Sequence, residues 1–185
     1  MPCPNRSNEM KPLPQRHSIR LPDFDYTQNG VYFITICSHQ KAHIFGEIID
    51  GKMKLNRIGQ IAQQCLLEIP IHFKNSELLV SVVMPNHIHV LIGIMNDNET
   101  GTTCRAPTGK TRRSFSRPIS GSVSTIIGSF KASVTKIINR ESENKRKAIW
   151  QRGFYEHIIR NENDLKLTAN YIMLNPENWE RDSEY

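Results

Sequence analysis

No stretch of this chain is apolar for the roughly 18 residues that a membrane-spanning helix needs, so a membrane protein is not expected. The first twenty residues, MPCPNRSNEMKPLPQRHSIR, have prolines and charges where a secretory signal has an apolar core, which points to the cytoplasm. Cysteine is scarce: Cys3, Cys37, Cys65 and Cys104 are scattered without a CxxC pair, which disfavours a disulfide framework and a cysteine-rich zinc site. Acid is missing altogether between Gly101 and Arg140. The same stretch holds Arg105, Lys110, Arg112, Arg113, Arg117, Lys131, Lys136 and Arg140, a one-sign block that either tracks an anionic partner or is simply solvated. The net charge of +6 over 185 residues suits a polyanion partner without requiring one.

What is present divides into an N-terminal arm, one domain and a short tail. Residues 1–23 are proline-rich and poor in large apolar groups, and read as an extended arm, in which Arg16 and Arg20 are placed to reach a phosphate or a base. Residues 24–179 have the length for a single packed domain, and 180–185 form a tail. VYFITIC (31–37) is a buried strand by its β-branched and aromatic content. Asp50-Gly51 within IFGEIIDGKMKL is a hairpin turn signal. Leu55, Ile58, Ala62, Cys65, Leu66 and Ile69 give the stripe of an amphipathic helix that ends by Pro70. LLVSVVM (78–84) and HIHVLIGI (87–94) suit two antiparallel strands joined at Pro85-Asn86.

Residues 96–121, rich in Thr, Ser, Gly, Pro and Arg, have no hydrophobic period and read as a basic exposed loop. Val123, Ile126, Ile127, Phe130, Val134, Ile137 and Ile138 predict a second helix, with Ser120 or Ser122 as its N-cap. GFYEHIIR (153–160) reads as a strand and 161–174 as a last helix, capped by Asn161 or Asn163 and closed before Pro176. This order predicts an α+β, ferredoxin-like split βαβ fold: a four-stranded antiparallel sheet with its first and third strands central, two helices on one face, an open opposite face, and an added C-terminal helix.

His87 and His89, two apart on the third strand, point to one face, and Ile88, Val90 and Ile92 to the other. If the aliphatic set meets the helices, the imidazoles face outward. They then form either half of a divalent-metal site or two hydrogen-bonded surface histidines.

MPNHIHVLI resembles the HUH motif of the single-tyrosine transposases, of the insertion-sequence and REP-associated type. DYTQNGVYFITICSHQKAHIFG is similar to that family's first strand and turn, IIGSFKASVTKIIN to its second helix, and IWQRGFYEHIIRNENDLKLTANYIMLNP to its C-terminal block. The resemblance covers most of residues 24–179, in family order. It implies a metal-dependent endonuclease and strand transferase (a transposase) acting on single-stranded DNA that carries a hairpin or repeat, through a covalent 5′-phosphotyrosine.

Under the same resemblance Tyr171, on the last helix, is the catalytic nucleophile, and His87, His89 and Asn175 bind Mg²⁺ or Mn²⁺. Many insertion-sequence members carry glutamine where Asn175 stands. Spacing alone also allows Tyr171 to be a core residue in line with Leu167 and Leu174. The DNA backbone would be followed by Arg105, Lys110, Arg112, Arg113, Arg117 and Lys131, with base contacts from the arm around Arg16 and Arg20. Monomer and homodimer both stay open, as does a tyrosine serving its own or a partner's histidines. Competing readings are a non-mobile or inactive relative that binds DNA or RNA hairpins without cleavage, and an RNA-binding sheet. Against the last, the third strand carries histidines where such sheets carry aromatics.

Overall fold

The computed structural model describes residues 29–95, 121–141 and 148–179. The N-terminal arm, the basic loop through residue 120 and the tail expected from the sequence lie outside the described residues. So do Arg16, Arg20, Arg105, Lys110, Arg112, Arg113 and Arg117.

In chain order the elements are β1 (Gly30–Cys37), β2 (Gly46–Ile49), β3 (Lys52–Leu55), α1 (Arg57–Leu67), the single turn α2 (Ile69–His72), β4 (Ser76–Val83), β5 (His87–Ile94), α3 (Val123–Glu141), β6 (Tyr155–Ile159) and α4 (Glu162–Leu174). The fold is α+β. Four strands form an antiparallel sheet in the order β4-β5-β1-β6, and β2 and β3 form a separate hairpin. The hairpin turns on Asp50 (φ 50°) and Gly51 (φ 69°), two consecutive left-handed residues of the kind a two-residue turn demands.

Local chemistry sets the helix starts. Asn56 accepts a hydrogen bond from the Gly59 amide at 3.0 Å and donates to the Ile44 carbonyl at 2.9 Å, capping α1 and tying it to the preceding loop. Asn161 caps α4 through the Asp164 amide at 2.9 Å, and Ser122 Oγ lies 3.4 Å from the Thr125 amide at the head of α3. α1 stops at Leu67, and Pro70 then falls at the start of α2, where its missing N–H costs nothing.

The β1–β5 register pairs Tyr32 with Ile92, Ile34 with Val90 and Ile36 with Ile88 on one face, and Phe33 with Leu91, Thr35 with His89 and Cys37 with His87 on the other. The first face meets Ile61, Ala62, Cys65 and Leu66 of α1 and Val123, Ile126, Ile127, Phe130 and Val134 of α3 in one core. Each fully buried Ile or Leu contributes about 1.5–3 kcal/mol, so this two-layer core carries most of the stability.

The opposite face, expected to be open, is covered over β4 and β5 by α4, with Ile172 fully buried. Val80 and Val82 stand opposite Leu91 and His89 there, which makes that half of the face apolar enough to need a cover. The β1–β6 half remains the more exposed. Among the described residues, no helix is long and apolar enough to cross a membrane.

Candidate active site

The turn between β4 and β5 fixes the first histidine. Met84 N–H donates to the His87 carbonyl at 2.8 Å and closes Pro85-Asn86 into a tight turn. Ser38 N–H donates to the Asn86 carbonyl and Phe45 N–H to the Pro85 carbonyl, so the turn is held from the β1 side as well. The Asn86 side chain is buried, with its amide oxygen 2.7 Å from His87 Nδ1. An amide oxygen only accepts, so Nδ1 carries a proton, and the neutral form of the ring then has its lone pair on Nε2.

His89 is held across the sheet. Its Nδ1 lies 2.9 Å from the hydroxyl of Thr35, its direct cross-strand partner on β1. With Nδ1 taken by that hydroxyl, Nε2 is the atom presented to the site. The two Nε2 atoms are 3.0 Å apart. At that distance the two nitrogens either share one hydrogen bond, with one ring as the N–H donor, or turn their lone pairs to a common cation. The spacing is what adjacent ligands of one ion show with bonds of about 2.1 Å.

Both imidazoles were expected to face outward from an open sheet. They do point to the face away from α1 and α3, but they are buried, His87 at 0% and His89 at 1% exposure, because α4 and its C-terminal extension lie over them. Trp179 stacks on His87 at 5.9 Å between ring centroids and meets His43 edge-on at 5.6 Å. Tyr171 crosses His89 at 5.3 Å and packs edge-on against Phe33 at 6.1 Å.

Tyr171 is 41% exposed, so it is not the core tyrosine that spacing also allowed. Its hydroxyl lies 3.4 Å from His89 Nε2. One helical turn later, Asn175 is buried, and its amide oxygen has no hydrogen-bond partner among the described residues. A buried acceptor of that kind costs about 1–3 kcal/mol unless something binds it. Two adjacent imidazole nitrogens, with an orphaned amide oxygen on the helix that covers them, are a donor set that fits a divalent cation. The described residues contain no cluster of three His, Cys, Asp or Glu, so a third protein ligand would come from another residue type, such as the Asn175 amide.

α4 is pinned at its other end by an exposed pair. His157 Nε2 on β6 lies 3.1 Å from Asp164 Oδ2, and the Arg160 amide donates to the same oxygen at 3.2 Å. The Arg160 amide, then His157, hold the Asp164 carboxyl below the usual aspartate range. Lys131 of α3, expected on DNA, gives its ammonium to the carbonyls of Gln151 at 2.7 Å and Gly153 at 2.8 Å. Burial pushes that ammonium below the usual lysine range.

His87, His89 and Tyr171 thus come together from β5 and α4, with Asn175 one turn beyond Tyr171 at the end of that helix, while Lys131 stands apart from them and holds the loop ahead of β6. Sequence reasoning missed Thr35, Trp179 and the orienting role of Asn86. Only Asn86 carried a local signal, as the neighbour of the histidine pair.

No protein-family model matches the chain. A Haemophilus influenzae protein of uncharacterized function is 37% identical over 171 residues, covering 92% of this chain and 93% of its own. A second protein of that organism, named provisionally as a REP-associated tyrosine transposase, is 26% identical over 156 residues, or 82% of this chain and 73% of its own. The chain is a relative of the REP-associated tyrosine transposases. The solved structure of a REP-associated tyrosine transposase bound to a REP hairpin shares the fold, with a TM-score of 0.56 at 19% identity over 85% of this chain and 72% of that one.

Proposed function

We propose that the chain is a metal-dependent single-stranded DNA endonuclease and strand transferase that works through a covalent 5′-phosphotyrosine at Tyr171. The observation that carries this reading is the meeting of the Tyr171 hydroxyl with His89 Nε2 at 3.4 Å, beside His87 Nε2. Its frame is read as the ferredoxin-like split βαβ sheet, with α4 as the nucleophile's helix.

His87, His89 and Asn175 would hold Mg²⁺ or Mn²⁺. A bound ion would neutralise the scissile phosphate oxygens and favour in-line approach. Tyr171, with a reference pKa of about 10, gives up its phenolic proton at the solvent-facing side of the site. Its oxygen forms a bond to phosphorus as the bond to the 3′ oxygen breaks, and the 3′-OH leaves with a proton. Because the phosphotyrosine conserves the energy of the broken ester, the 3′-OH of another end can reverse the step without ATP. Asn86 and Thr35 orient the two imidazoles, and Trp179 shields His87 from water. Arg16, Arg20, Arg105, Lys110, Arg112, Arg113 and Arg117 are proposed to follow the DNA strand, with Lys131 supporting them through the loop it holds.

The test is to incubate the protein and its Tyr171→Phe variant with labelled hairpin DNA from the flanks of its own reading frame, with Mn²⁺ or with chelator, on denaturing gels. A covalent protein–DNA band that disappears in Tyr171→Phe and in chelator is expected. Binding without an adduct on every flanking hairpin would leave a hairpin-binding relative that does not cut.

A further inference from the structure

We infer that Tyr155 and Arg152 form a subsite for the nucleotide beside the scissile phosphate, in which an unpaired base stacks on the Tyr155 ring. The inference rests on the proposed reading for the position of that phosphate.

Register places the subsite. Thr35 pairs with His89 on one side and with Tyr155 on the other, so the three residues form a straight row across β5, β1 and β6. Because the Thr35 hydroxyl meets His89 Nδ1, the row lies on the face of the sheet that carries the site. Two strand spacings of about 4.8 Å put Tyr155 about 10 Å from His89 along it. That is within the reach of one nucleotide from a phosphate held at the histidines.

Ring engagement, more than exposure, separates Tyr155 from its neighbours, since Tyr171 is equally exposed. Phe33 and Tyr171 engage their rings with each other and with His89. Tyr155 is 41% exposed on the uncovered half of the face. A tyrosine ring offered from a strand accepts any base, since every base has a π-face.

The adjoining loop supplies charge. Arg152 is exposed and lines a small hollow of about 20 Å³ with Cys37, Gly153 and Tyr155. The loop is held on two sides, by the Lys131 ammonium on the Gln151 and Gly153 carbonyls and by the Gln151 amide on the Cys37 carbonyl at 2.9 Å. A stacking ring beside a cation on a fixed loop matches the base-and-phosphate repeat of a single strand. Lys131 contributes by holding this loop.

The experiment measures fluorescence anisotropy of fluorescein-labelled hairpins with single-stranded flanks, in the Tyr171→Phe protein, so that binding is read apart from cleavage. Adding Tyr155→Ala is expected to weaken binding roughly tenfold to a hundredfold, and Tyr155→Phe to leave it nearly unchanged. One abasic position in the flank should cost the parent the same factor and cost Tyr155→Ala nothing further. Arg152→Gln should lower the slope of log affinity against log salt by about one.

Equal binding by Tyr155→Ala and its parent, a loss that every abasic position adds to equally, or no DNA binding by the parent would overturn the subsite. Tyr155-dependent binding without an adduct in the Tyr171-containing protein would overturn the cleavage reading and leave base stacking on Tyr155 standing without a scissile phosphate beside it.

Discussion

At the scale of single residues, the site depends on groups that aim the imidazoles. Replacing Thr35 by Val keeps the shape and removes the hydroxyl that faces His89 Nδ1. Loss of such an orienting partner typically lowers metal affinity by about 10- to 100-fold. Thr35→Val is therefore expected to weaken Mn²⁺ binding within that range while the fold is kept, as measured by calorimetric titration. An unchanged affinity would mean that Thr35 does not set the His89 ring.

His87, His89 and Tyr171 stood out in the sequence because a motif and a family resemblance mark them. Thr35 did not. In VYFITIC it is one more strand residue, and only the β1–β5 register puts it opposite His89. Trp179 was equally silent, since a tryptophan after a helix says nothing of the ring it covers.

At the scale of elements, close backbone approach and end contacts decide what each helix tolerates. A Cβ on Gly59 would come 2.1 Å from the Phe45 carbonyl oxygen, so the first turn of α1 requires glycine there. Alanine would gain about 1 kcal/mol in helix propensity. Forced displacement of packed backbone costs typically about 1–3 kcal/mol, and the clash is with a carbonyl that Asn56 N–H also uses, so the cost should win. Gly59→Ala is expected to lower the denaturant midpoint; a rise would show that the loop yields.

The head of α4 should respond to acid. Asp164 has its pKa depressed by the Arg160 amide and by His157. A carboxyl with a depressed folded pKa stabilises above its unfolded value, near about 4, and loses that contribution as the pH falls through the depressed value. The gap in Tm between the protein and Asp164→Asn should be present near neutrality and close below that range. A gap that persists in strong acid would assign the effect to something other than charge.

Most element positions were legible from apolar period and caps, including the Asp50-Gly51 turn and the α4 cap at Asn161. The short α2 was not, because Pro70 reads as a stop and serves here as a start.

At the scale of the molecule, the strand order followed from the alternation of strands and helices, which leaves few ways to connect a sheet. The covering of the second face did not. An amphipathic segment such as α4 has exposed Leu167 and Leu174 as well as buried Ile172, and its sequence does not say which side meets the sheet. Only the apolar β4–β5 half of that face settles it. Charge was legible as an acid-free block, although most of its cations lie outside the described residues.

The short span from Tyr171 to His89 also bears on division of labour between copies. Since Tyr171 and the histidine pair meet within one polypeptide, the proposed mechanism runs within a single copy. Mixing a His89→Ala protein with a Tyr171→Phe protein should therefore yield no more adduct than either alone, whereas restored cutting would require the copies to trade helices.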